Sequence, residues 1–300
     1  MLSVAAFYCF APFEDPDALR GPLVDLCTRE GLRGSILLAT EGVNGTVAGP
    51  RAGLDVLIAH ICALRGCAGM VPKWSEAEDW PFGKMKVRLK REIVTMGQPD
   101  VDPRLGVGRY VPAAVWNDVV RDPNTVLIDT RNDYEVEIGT FEGAIDPKTE
   151  SFGDFPGWWA AHRDQFEGKR VAMFCTGGIR CEKSTAYLRA QGVEDVVHLQ
   201  GGILKYLEDV PEAESLWRGA CFVFDDRVGV EHGLVPSEHT LCHGCRRPLT
   251  PDARAHPFFE DGVQCHRCAG ERSDADRERS RERVRQIRLA RTRGDRHFRP

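Results

Sequence analysis

No apolar run in this 300-residue chain approaches the roughly 20 residues that a membrane-spanning helix requires, so no membrane association is expected. The opening Met1-Leu-Ser-Val-Ala-Ala-Phe-Tyr-Cys9 lacks the basic stretch of a secretory leader and reads as a first strand. Also missing are a dinucleotide-binding fingerprint, a haem-attachment motif and a two-histidine-one-carboxylate set at recognisable spacing, so no organic cofactor is evident. Cysteine, by contrast, is plentiful at eleven residues, an odd number. In the absence of a leader these read as reduced thiols of a cytoplasmic protein plus one paired cluster. The net charge of −5 is uneven, because residues 271–300 hold eleven Arg against six Asp and Glu. An acidic body with an arginine-rich tail suits a polyanionic partner such as RNA; a solvated tail is the plain alternative. Nothing in the sequence fixes an oligomeric state.

Residues 1–97 follow a β-α-β-β-α-β order, expected to form a ferredoxin-like domain. Ser3–Phe10 is apolar and aromatic, Asp17–Glu30 carries Leu19, Leu23, Leu26 and Cys27 at helical spacing, and Leu54–Leu64 reads as a second helix. A chain reversal is expected at Asn44-Gly45, between the β-rich runs Gly34–Ala39 and Gly45–Ala48. Lys73–Phe82 reads as a loop whose tryptophans pack under the domain or stack on bases. Lys84–Thr95 alternates Lys84, Lys86, Arg88 and Lys90 with apolar residues, giving a last strand with one buried and one basic face. That face tracks a phosphate backbone or is an ordinary solvated one.

A proline- and glycine-rich linker is expected over 98–110. Over 111–212, short helices alternate with the apolar runs Thr125–Asp129, Val171–Phe174 and Val196–Leu199, the pattern of a parallel α/β sheet. A cysteine-rich module follows over 213–270, then the tail over 271–300. Its pairs Cys242/Cys245 and Cys265/Cys268, with 19 residues between them, match a four-cysteine zinc ribbon or knuckle; cysteines without metal are the alternative. A closed four-sulfur shell leaves no open position, so no catalysis is expected there. Asp274–Ala290 reads as a charged helix that docks or stays free.

The segment Cys175-Thr-Gly-Gly-Ile-Arg-Cys181 is the most informative. It joins an apolar run to a helix-like stretch, so Cys175 is placed where a strand hands over to a helix N-terminus. Gly177 and Gly178 let amides turn inward around the sulfur, and Arg180 adds positive charge. A low thiol pKa and an accessible, reactive thiolate are expected. Cys181 is a candidate for resolving a persulfide on Cys175. Asp129-Thr-Arg131 ends another strand, where Asp129 is expected to pair with an arginine such as Arg180 and brace the loop.

These pieces resemble the rhodanese (sulfurtransferase) domain: Leu127–Glu135, Gly139–Ile145, the loop Cys175–Arg180 and Val197–Ile203. In rhodaneses the loop cysteine carries sulfane sulfur as a persulfide, and the loop is one residue shorter than in the related phosphatases. The resemblance extends over nearly the whole chain. Ala39–Gly49, Lys84–Thr95, Cys175-Thr-Gly-Gly-Ile-Arg-Cys-Glu-Lys183 and Cys242-His-Gly-Cys245 before an arginine-rich tail are similar to the bacterial rhodanese-domain tRNA uridine-34 hydroxylases. The resemblance implies an acylphosphatase-like N-terminal domain, a tRNA anticodon loop as partner, molecular oxygen as co-substrate and 5-hydroxyuridine as product. It implies Cys175 as the intermediate-forming residue, with Asp129, Arg131 and Arg180 as loop supports. A persulfide sulfurtransferase is the alternative activity, and a non-catalytic RNA-binding module is a third reading.

Overall fold

The computed structural model describes residues 1–293; the end of the arginine-rich tail, 294–300, lies outside the described residues. The chain divides into two compact units, Met1–Val223 with Val230–Val235, and Phe224–Gly229 with Pro236–Pro300. Among the described residues no helix is long and apolar enough to cross a membrane.

The first unit begins with β1 (Leu2–Phe10), α1 (Pro16–Arg29), β2 (Arg33–Ala39), β3 (Gly42–Gly49), α2 (Arg51–Cys62), β4 (Lys73–Ala77) and β5 (Met85–Leu89). Helix α1 starts where it does because the Asp15 carboxylate accepts from the N–H groups of Asp17 and Ala18, both at 3.1 Å, with Pro16 at the first helical position. Its Leu23, Leu26 and Cys27 join Phe7, Ile36, Leu38, Val47, Leu54 and Leu57 in one core.

The sheet order is β4-β1-β3-β2-β5, which changes two expectations. The fourth strand of the ferredoxin-like order is β4, lying antiparallel beside β1, where a loop was expected. As a polar edge strand with only Ala77 buried, it offers no alternation to read. The basic strand is a fifth, added parallel to β2 at the opposite edge. It ends at Leu89 rather than Thr95, because the later N–H groups of Ile93 and Met96 go to the carboxylates of Glu41 and Glu92.

The reversal lies at Thr40-Glu41, not Asn44-Gly45, since Ala39 pairs with Gly42. Gly45 sits inside β3, where a Cβ would lie 2.8 Å from the Phe7 ring. The tryptophans of 73–82 pack: Arg51 stacks 3.7 Å from the Trp74 ring centre and Arg33 4.2 Å from that of Trp80.

The central domain continues with β6 (Arg109–Val111), α3 (Ala113–Arg121), β7 (Thr125–Asp129), α4 (Asp133–Val136), β8 (Gly139–Phe141) and α5 (Phe155–His162). It then runs through β9 (Arg170–Phe174), α6 (Ile179–Ala190), β10 (Val196–Leu199), α7 (Gly202–Asp209) and β11 (Trp217–Gly219). Strands β6-β10-β9-β7 form one parallel sheet. Arg109 and Tyr110, expected at the end of the linker, belong to β6. Trp116, Phe141, Phe174, Tyr206 and Trp217 are in one core cluster. Phe155, Trp159, Met173 and Leu188 are in a second, together with Met96 from the segment preceding the linker.

In the second unit, a strand pair of Thr240–Leu241 with Pro248–Leu249 and helix α8 (Pro251–Arg254) accompany the cysteine cluster. Helix α9 (Asp274–Thr292) docks on this module. Arg272 donates to the Gly244 carbonyl at 3.1 Å and to Ser280 Oγ at 2.7 Å, Arg277 to Gln264 at 2.7 Å, and Arg283 to the Gly262 carbonyl at 3.1 Å. Arg281 pairs with Glu260 at 2.7 Å.

Candidate active site and cysteine cluster

Strand β9 lies inside the parallel sheet, so its carboxyl end delivers Cys175 to the rim where such sheets place reactive groups. Gly178 then caps α6 in the left-handed region, at φ 101°, and its N–H donates to Cys175 Sγ at 3.1 Å. A Cβ on Gly178 would lie 2.9 Å from the Tyr8 hydroxyl oxygen, so glycine is required there for both backbone and space. Gly177 meets no such constraint. The loop carbonyls are held from the far side, by the N–H of Ile203 on Cys175 at 3.0 Å and that of Leu204 on Thr176 at 3.1 Å. Gly202, at φ 70°, makes this approach possible; a Cβ would lie 2.6 Å from both oxygens.

Burial pushes the Cys175 thiol pKa up. A hydrogen bond from the Cys181 thiol, the charge of Arg180 and the N–H groups of Cys181 and Gly178 outweigh it and bring the value down to about 6. Cys181, buried and donating to its neighbour, is held well above the ordinary thiol value. The expectation of an accessible sulfur is corrected: Cys175 is 0% exposed. The inward-facing amides are present, and Tyr8 of the N-terminal sheet stands beside the loop.

The bracing differs from expectation. Asp129 pairs with Arg131, not Arg180, through Nε–Oδ1 at 2.8 Å and Nη2–Oδ2 at 2.6 Å, both side chains fully buried. Arg131 also donates to the Glu135 carbonyl at 3.3 Å and the Gly139 carbonyl at 2.6 Å, and Thr140 completes Asp129 at 2.9 Å. Arg180 forms its fork with the Glu135 carboxylate, at 2.6 and 2.8 Å. Burial pushes the Glu135 pKa up, and the charge and hydrogen bonds of Arg180 overcome this and hold it below the usual value. Glu135 therefore positions the guanidinium whose charge favours the thiolate, a role the sequence did not announce although Glu135 ends the stretch Leu127–Glu135.

Two further residues of the Cys175–Lys183 segment reach the N-terminal domain. Lys183, fully buried, donates to Glu41 at 2.7 Å, Glu92 at 2.6 Å and the Val94 carbonyl at 3.3 Å, tying α6 to the N-terminal domain. Glu182 accepts from the Tyr8 hydroxyl at 2.7 Å. Lys86 and Arg88 lie exposed on the edge strand and Lys84 and Lys90 exposed at its two ends, apart from this loop in the sequence and without a described role in it.

A family model for the UPF0176 acylphosphatase-like domain matches residues 2–93, and one for the rhodanese-like domain matches residues 112–209. The chain is 63% identical over 298 residues, 99% of either chain, to a Ruegeria pomeroyi protein named tRNA uridine(34) hydroxylase. Proteins of the same name from Jannaschia sp. and Roseobacter denitrificans are 60% and 59% identical, over 99% and 98% of this chain and 99% of each relative. The chain belongs to the tRNA uridine(34) hydroxylase family. It is thus an enzyme of that family, with an acylphosphatase-like domain followed by a rhodanese domain.

In the second unit the sulfurs of Cys242, Cys245, Cys265 and Cys268 lie within 4.8 Å of one another, and the cluster can hold a metal ion. The separations are 3.9 Å for Cys242–Cys268, 3.8 Å for Cys245–Cys265 and 3.9 Å for Cys265–Cys268, far beyond the roughly 2.05 Å of a disulfide.

Proposed function

We propose that this enzyme hydroxylates C5 of the wobble uridine in tRNA, with Cys175 as the nucleophile and molecular oxygen as co-substrate. The observation that carries the reading is the N–H and arginine cradle around one sulfur, in a chain of this family. The wobble base is unpaired and can be splayed into a site. The thiolate adds to C6, which makes C5 electron-rich and open to oxygen. One oxygen atom enters the base, the other becomes water with two electrons and two protons from an external donor, and loss of the thiolate restores the ring. Asp129, Arg131, Gly177, Gly178 and Arg180 support the loop, and Cys181 serves as a hydrogen-bond donor to the thiolate.

Lys84, Lys86, Arg88 and Lys90 track the anticodon-arm phosphates in this reading. The arginine-rich tail is a weaker candidate, because Arg272, Arg277, Arg281 and Arg283 already hold α9 in place. The metal is zinc, held by Cys242, Cys245, Cys265 and Cys268. Tetrahedral Zn–S bonds of about 2.3 Å place sulfurs about 3.8 Å apart, close to the separations of 3.8–3.9 Å found. Bound there, zinc would act structurally, closing a small module. The protein works in the cytoplasm, and its segments are the N-terminal domain over 1–97, a linker, the rhodanese domain, the cysteine-rich module and the arginine-rich tail over 271–300; β6 takes Arg109 and Tyr110 out of the 98–110 linker, and β11 carries the rhodanese domain past 212.

The test is nucleoside mass spectrometry of tRNA incubated with the purified protein under oxygen. 5-Hydroxyuridine is expected from the wild type and not from Cys175→Ser. Full activity in that variant overturns the reading, and thiosulfate:cyanide turnover with unchanged tRNA favours sulfur transfer instead.

A further inference from the structure

One polar cluster beside the sulfur leaves an ammonium without an acceptor among the described residues. Tyr8, on β1, gives its hydroxyl to Glu182 Oε1 at 2.7 Å, and Lys73 Nζ, on β4, stands 4.9 Å from the centre of the Tyr8 ring. No hydrogen bond or ion pair among the described residues occupies the Lys73 ammonium. A partly buried ammonium with unused N–H groups is costly unless a ligand supplies acceptors. Tyr8 stands beside Gly178, where an added Cβ would lie 2.9 Å from the Tyr8 hydroxyl oxygen, and the Gly178 N–H holds Cys175 Sγ. Lys73 and Glu182 thus flank one ring that lies against the reactive loop.

We propose that Lys73 and Glu182 read the Watson–Crick edge of the target base, Lys73 donating to O4 of uracil and Glu182 accepting from its N3–H. Uracil offers an acceptor beside a donor, whereas cytosine offers an amino donor beside an acceptor nitrogen. An ammonium only donates and a carboxylate only accepts, so both positions reject cytosine. Burial outweighs the other effects on both groups, lowering the Lys73 pKa against the pull of the Cys175 thiolate and Glu182, and raising that of Glu182 against the Tyr8 and Tyr110 hydroxyls and Lys73; a base edge that supplies an acceptor to Lys73 and a donor to Glu182 favours the charged form of each. The inference rests on the reaction proposed above and adds one catalytic consequence. As the S–C6 bond forms, the C5=C6 electron pair shifts through C5 toward C4=O4, and Lys73 faces the oxygen that gains the charge. This step involves no change of oxidation state.

The experiment uses two full-length tRNAs that differ only in U34 or C34, with 5-hydroxylation read by nucleoside mass spectrometry. Affinity for each is also measured with Cys175→Ser. The wild type is expected to prefer U34 by about 100-fold or more, as a site built on paired hydrogen bonds allows. Lys73→Gln, whose amide both donates and accepts, lowers the U34 rate about tenfold and narrows the U34:C34 ratio about tenfold or more. Lys73→Arg, still a pure donor, keeps the ratio. An unchanged ratio in Lys73→Gln overturns the inference, even if the rate falls, because that fall marks a purely structural lysine. If the wild type leaves U34 unmodified, the proposed reaction is wrong, and the binding preference for U34 over C34, with its loss in Cys175→Ser/Lys73→Gln, still decides the inference.

Discussion

The chain puts chemistry-bearing sulfur in two places, built on opposite electrostatic plans. At Cys175 the protein supplies the positive side itself: the amides of Gly178 and Cys181, the Cys181 thiol and the guanidinium of Arg180 hold one thiolate against the cost of burial. At the C-terminal cluster four sulfurs crowd together. Burial and neighbouring sulfurs push the Cys242 and Cys245 thiols up, and Cys265 moves down, against its own burial, partly by accepting from those two. Backbone dipoles and one arginine suffice for a single thiolate. Four thiolates call for a divalent cation, which is why one loop reads as reactive and the other as a fastener.

The comparison breaks most visibly by substitution at the sulfurs. Cys175→Ser is expected to cut 5-hydroxyuridine formation by about 10³-fold or more, with the fold retained by circular dichroism; a smaller loss shows that Cys175 is not the nucleophile. A chelator tests the other region. Structural zinc sites of this kind carry about 10–16 kcal/mol of apparent binding energy. Limited proteolysis is therefore expected to open within 236–293, while the thiolate absorbance of Cys175 keeps its pH profile. Protection unchanged by chelation counts against the metal.

A smaller effect sharpens the account of the loop. Glu135→Gln leaves the Arg180 guanidinium buried without its carboxylate, which costs about 3–5 kcal/mol in denaturant unfolding. The pH dependence follows in sign. Glu135 is held below its unfolded value, so its contribution is complete above about pH 4.3 and fades as pH falls through the folded value. Glu135→Gln flattens that part of the acid limb; an unaltered acid limb shows that the pair contributes nothing. Smallest are the basic-strand changes. Lys86→Ala and Arg88→Ala each lower the slope of log affinity against log salt by about 0.7–0.9 for tRNA, and a slope unmoved by either removes this strand from the interface.

What the sequence revealed was local. Strand β9, the Cys175–Arg180 loop, the start of α6 and the two cysteine pairs are each specified by residues next to one another. The partners that complete them are remote in sequence, so no spacing or period announces them. Arg180 was matched to Asp129 because both belong to loop motifs, yet Asp129 is taken by Arg131 two positions away and Glu135 is what reaches the guanidinium. Lys183 looked like the end of a motif until Glu41 and Glu92 met it from another domain. Strand β4 hid for a different reason: an edge strand with one buried residue carries almost no hydrophobic pattern, and Lys73, the ammonium beside the site, sits on it.

The most direct measurement is the ionisation of Cys175 itself, followed as the pH dependence of the thiolate ultraviolet absorbance, wild type minus Cys175→Ser. The cradle predicts a midpoint at about 6, moving upward in Arg180→Gln as the guanidinium is lost. A midpoint near the ordinary thiol value of about 8.5 in the folded wild type contradicts the account.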